Sequence, residues 1–186
     1  MDDAYPESCE LKPQLEQSKK LIHWLRVTGT SARSRRSLRG LFAENSIQLA
    51  MDHHAAIVAL AENNQRASLL SLIRAIYEAY IYGAWSLYVA TDDQLAYMSK
   101  GKTARVFDKM VLDLDKKGFF DRQILRDMKP LAKRMDGFLN GSFEHYKYPV
   151  SAADTDGRYP DKLIAEALQI ADLFAVMACM EQQHLK

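Results

Sequence analysis

Between Asn140 and Tyr159 the chain reads NGSFEHYKYPVSAADTDGRY, a stretch long and polar for a connection inside a compact domain. It gathers His145 with Glu144, Lys147, Arg158 and the rings of Phe143, Tyr146, Tyr148 and Tyr159. Imidazole titrates near neutral pH, so His145 can serve as a general acid or base. Lys147 and Arg158 can hold a phosphate, and the aromatic rings can cover a base or an apolar group. The competing reading is a loop folded back over the rest of the chain, with His145 making a local cap or hydrogen bond.

Other pairs carry narrower chemistry. Arg74 and Glu78 are four residues apart, so on a helix they share one face inside an otherwise apolar segment. They suit either an ion pair that fixes helix register, or a pocket that takes an anion through Arg74. His53 and His54 are adjacent and project about 100 degrees apart on a helix, which is wrong for a shared metal. His54 falls on the apolar stripe and reads as a packed, hydrogen-bonded imidazole. Glu181 and His184 have the spacing of half a carboxylate metal site, but the further carboxylates and the second Glu and His pair are missing, so a solvated terminus and no metal are expected. A glycine-rich phosphate loop, an HExxH motif and clustered cysteines are absent, and no cofactor is implied. The serines, histidines and acids are too scattered to argue a nucleophilic triad.

The formal net charge of +1 hides an uneven distribution. Between Glu16 and Glu44 no acid occurs, whereas Lys19, Lys20, Arg26, Arg33, Arg35, Arg36 and Arg39 are all cationic. Such a run suits weak, salt-dependent contacts with RNA or another acidic partner, with Arg33, Arg35, Arg36 and Arg39 as its core. Cys9 and Cys179 stand far apart, which argues for thiols in a reducing compartment. The opening MDDAYPESCE has no basic stretch followed by an apolar run, so the expected location is cytoplasmic. Leu69 to Ala90 is long enough to cross a bilayer, but Arg74 and Glu78 inside it favour a buried helix and no membrane.

The elements that must position these residues are helices. With 186 residues and 48% hydrophobic composition the chain can bury one sizeable core without disulfides. Residues 1–11 read as a flexible N-terminal segment and 12–186 as a single all-helical domain. Apolar spacing predicts helices over Lys12–Val27, Arg35–Asn63, Leu69–Ala90 and Thr103–Lys117, with a short one after Thr91 and with Gly101 and Gly118 as stops. Gly40 could interrupt the second. Ile124, Leu125, Met128 and Leu131 continue the pattern, broken or restarted at Pro130. A final helix has Pro160 in its first turn and an apolar side running from Leu163 to Ala178, which should pack on the central Leu69–Ala90 helix. Strand patterns are too scarce for a sheet. The fold class is therefore all-α, a single bundle of about six or seven helices.

The strings SLIRAIYEAYIYGAW and LNGSFEHYKYPV, followed by a terminal apolar helix, resemble uncharacterised bacterial helical proteins related loosely to the HEPN superfamily. The resemblance covers roughly residues 35 to 183. It implies a helical, often dimeric protein that is either a noncatalytic binding or assembly module or a metal-independent ribonuclease of the toxin and antiviral kind. In the superfamily an arginine precedes the catalytic histidine by four to six residues. Here Arg134 precedes His145 by eleven, and Asn140 and Ser142 match the polar surroundings of that histidine only loosely. The binding or assembly reading is therefore preferred, and Arg74, Glu78, Asn140, Ser142, Tyr146, Lys147 and Arg158 are its ligand candidates. Apolar stripes near Ile47–Val58, Leu69–Ala90 and Leu163–Phe174 further suggest a homodimer.

Overall fold

A computed structural model describes residues 11–28, 37–119, 137 and 159–185. Among these the chain forms six helices and no strand: α1 Leu11–Thr28, α2 Leu38–Glu62, α3 Arg66–Tyr88, α4 Asp92–Met98, α5 Phe107–Lys116 and α6 Asp161–His184. The all-α class expected from the apolar spacing is the one observed.

The helix ends follow local chemistry. Ser37 caps α2 by accepting a hydrogen bond from the Gly40 amide at 3.0 Å, so Gly40 sits within the first turn instead of interrupting it. That cap starts α2 three residues later than the spacing from Arg35 suggests. The turn into α3 uses Asn64 at φ +53°, a left-handed conformation that asparagine tolerates well. Thr91 and Gln94 form a reciprocal capping box at α4. Gly101 and Gly118 adopt φ +73° and +69° after α4 and α5, as their sequence positions predict. Helix α5 begins at Phe107 and not near Thr103, because Val106 is extended and Arg105 reaches forward to bind both oxygens of Asp113 at 2.8 Å.

The core lies where α2, α3 and α6 meet. Helix α3 buries twelve of its 23 residues, among them Ile73, Ile76, Tyr80, Ile81 and Trp85, so neighbours must cover most of its circumference. Helix α2 contributes Ile47, Ala50, Ile57 and Val58, and α6 contributes Leu168, Ala171 and Phe174. At the α2–α3 crossing, Gly83 lets the two backbones approach: a Cβ there would lie 2.9 Å from Cγ1 of Ile47. Arg66 ties the start of α3 to the start of α6, donating to the Tyr159 carbonyl and to Asp161 Oδ1 at 2.7 Å. Pro160 stands at the cap position of α6, just before the first turn, where a missing amide donor costs nothing.

Helix α6 is the one described helix long and apolar enough to span a membrane, with mean hydropathy 1.8, and 56% of that window is buried within the fold. That burial is the pattern of a core helix, and α6 packs on α1, α2 and α3.

Candidate binding cleft

Helix α1 buries only Ser18 and Leu25 of its 18 residues. A serine at a buried helical position needs partners, because a hydroxyl removed from water without a hydrogen bond is costly. Ser18 Oγ lies 2.8 Å from Asp172 Oδ2 on α6 and 3.0 Å from the Gln14 carbonyl one turn back. The amide of Gln14 donates to the same Asp172 oxygen at 2.9 Å. The other carboxylate oxygen, Oδ1, meets His54 Nε2 of α2 at 2.6 Å. One carboxylate thus fastens three helices together. The arrangement is not a nucleophilic triad, because serine and histidine both contact the aspartate and not each other.

His54 is fully buried, as its place on the apolar stripe suggests. Its bond to Asp172 fixes the ring orientation, and among the described residues Nδ1 has no hydrogen-bond partner. The ring lines a cleft of about 280 Å³ between α1 and α2, whose other walls are Ile22, Leu25, Arg26, Gln48, Met51, Asp52 and Ala55. Residues 48, 51, 52 and 55 of α2 and 22, 25 and 26 of α1 recur at three-and-four spacing, so each helix presents one continuous strip to the cleft. Ile22, Leu25, Met51 and Ala55 supply apolar surface. Arg26 and Asp52 bring opposite charges to the same cleft and form no ion pair with each other among the described residues. Asp52 accepts instead from Gln48 at 3.0 Å. Burial pushes the pKa of His53, beside His54, down and so favours the neutral ring, while Asp52 pulls the other way.

The charged residues singled out by spacing have other duties where they are described. Arg74 donates to Glu78 at 2.8 Å, so the two do share a face and pair, as their spacing allows. Its guanidinium also stacks 4.4 Å from the Phe107 ring centroid and 5.4 Å from that of Tyr77, which joins α3 to α5. Glu78 is not interior, since 42% of its side chain is exposed. Arg39, counted with the polyanion candidates, directs both terminal nitrogens within the chain. They reach the carbonyls of Ser86 and Ala90 at 2.8 and 2.7 Å and the Asp92 carboxylate at 2.8 Å. That bonding fastens the start of α2 to the end of α3. Lys19 of the same basic run pairs with Glu16 and with Glu62, each at 3.0 Å, and these acids raise its pKa. Glu181 accepts from the Tyr88 hydroxyl, whose pKa rises through burial and this carboxylate.

The remaining candidates, His145, Arg134, Asn140, Ser142, Tyr146, Lys147, Arg158, Arg33, Arg35 and Arg36, lie outside the described residues. Among the described residues no group of three His, Cys, Asp or Glu side chains is placed to hold a metal. Asp172 and Ser18 were not singled out by motif reading. A signal for both exists all the same: each is a short polar residue on an apolar face, Ser18 between Leu15 and Leu25, Asp172 between Leu168 and Ala175.

A model described as "Family of unknown function (DUF6988)" matches residues 47–186, which takes in most of α2 and everything after it but not α1. No curated protein and no solved structure matches the chain.

Proposed function

This chain belongs to the DUF6988 family, a family of unknown function, and we propose that it is a noncatalytic helical binding module whose α1–α2 cleft takes a small ligand. The observation that carries the reading is a single one: an open cleft, half of its lining apolar, with an oriented, buried His54 in its wall and one cation and one anion, Arg26 and Asp52, contributed from opposite helices. Specific small-molecule sites combine an apolar lining with few polar groups that fix orientation. An apolar body fits against Ile22, Leu25, Met51 and Ala55, and a zwitterionic head complements the two charges. A small apolar amino acid has this chemistry.

The test is calorimetric titration with L-norleucine, which carries an apolar chain and both charges. Saturable binding is expected, weakened at least ten-fold by Ala55→Trp, which fills the cleft, and less by Arg26→Gln. Unchanged affinity in Ala55→Trp would remove the reading. Two further proposals come from the sequence. The chain forms a homodimer, supported if light scattering gives twice 21.2 kDa across a wide concentration range and defeated by a concentration-independent monomer. The basic segment contacts RNA, for which charge reversal at Arg33, Arg35 and Arg36 should weaken binding most at low salt; equal affinity would dismiss it.

A further inference from the structure

We propose that α1 is a latch on this cleft, held shut by Asp172, which opens as a unit while the rest of the bundle stays folded. The inference that its opening regulates ligand binding rests on the reading of the cleft just given. The latch itself does not.

The helices are buried unevenly. Helix α1 buries two of 18 residues where α3 buries twelve of 23, so α1 has far less buried apolar area opposing its release than α3. Local openings draw on regions with few buried apolar contacts. Its buried leucine, Leu25, does not join the main core. It forms a separate small cluster with Ala175 and Cys179 of α6, flanked by Leu21 and Met51. Leu11, Leu15 and Ile22 touch the main core but are only partly buried. What makes α1 specific in its closed position is polar: Ser18 and Gln14 on one oxygen of Asp172, and Lys19 across to Glu62.

The same carboxylate carries His54 on its other oxygen. Closing α1 therefore completes the donor shell of the group that orients His54, and it also supplies Ile22, Leu25 and Arg26 as one wall of the cleft. Opening removes that wall and leaves Asp172 with fewer donors. A ligand that touches both walls binds the closed form only, so it must shift the latch toward closure by mass action.

Cys179 is a built-in reporter, because it is buried beneath α1 beside Leu25. The experiment uses the full chain with Cys9→Ser, leaving Cys179 as the single thiol, and follows its reaction with a disulfide reagent without denaturant. Labelling at least ten-fold faster than the measured global unfolding rate is expected. Ser18→Ala, which removes one hydrogen bond to Asp172, should speed it about five-fold. Ile73→Val, on the buried face of α3 in the main core, should lower the global stability yet leave the labelling rate unchanged. The latch is overturned if Cys179 reacts no faster than global unfolding, if Ser18→Ala has no effect, as when α6 frays from its end, or if Ile73→Val accelerates labelling equally. L-norleucine at about ten times its Kd should slow labelling about ten-fold. Binding without slowing would overturn the regulatory coupling, whereas an absence of binding would count against the cleft reading and leave the thiol result to decide the latch.

Discussion

Helices α1 and α3 both pack on α2 and α6, but they are joined to them by different chemistry. The α2–α3 seam is apolar and close, with Ile47 fully buried against Gly83. The α1 seam rests on one small cluster, on the partly buried Leu11, Leu15 and Ile22, on hydrogen bonds to a single carboxylate and on the Lys19–Glu62 ion pair. Burial of apolar area is strong and nondirectional, whereas a hydrogen bond replaces one already made to water and contributes a modest net amount. The first seam should set the global stability of the fold. The second should decide whether α1 is closed.

The largest effect that bears on this contrast belongs to Ile47→Ala. Removing a fully buried branched side chain at the α2–α3 seam should cost about 2–5 kcal/mol. In urea unfolding followed by helical circular dichroism and by tryptophan emission, both signals should shift together. A shift confined to one probe would break the claim that this seam is global. Gly83→Val adds volume where a single Cβ already lies 2.9 Å from Ile47 Cγ1. The expected loss is about 1–3 kcal/mol, and a variant as stable as the parent would show that the backbones can separate freely.

Ser18→Ala should have a smaller and more local effect, about 1 kcal/mol, seen in hydrogen exchange as faster exchange over α1 with α3 unchanged. Uniform acceleration across both helices would merge the two seams into one cooperative unit. The smallest effect is a pH dependence outside either seam. The Arg105 guanidinium bound to Asp113 holds that carboxyl below its ordinary value. A folded pKa below the unfolded one gives stability that is present above about pH 4 and lost as pH falls through the folded value. Asp113→Asn should therefore be less stable than the parent at neutral pH and equal to it in strong acid. A constant difference down to the acid limit would contradict that linkage.

The fold was readable in the sequence because helices leave a local periodic record. Leu69 to Ala90 announced a helix covered on many sides, and Gly101 and Gly118 marked stops that their positive φ values explain. Boundaries moved where side chains compete with the backbone, as at Ser37 and at Arg105. Arg74 and Glu78 were legible as a pair because they are one turn apart, whereas the ring stacking on Phe107 was not, since it crosses between helices. His54 was legible as a buried imidazole, but its partner is 118 residues away. The cleft itself exists only once α1 lies beside α2, and nothing in the spacing of either helix specifies that approach.

Methyl resonances of the protein labelled at methionine test the binding reading most directly. Met51 lines the cleft, and Met110 lies buried on α5 and is not part of its lining. Titration with L-norleucine should move the Met51 signal along a saturable curve and leave Met110 in place. If Met51 stays fixed to the solubility limit of the ligand, or if both signals drift together without saturation, the cleft is not the binding site.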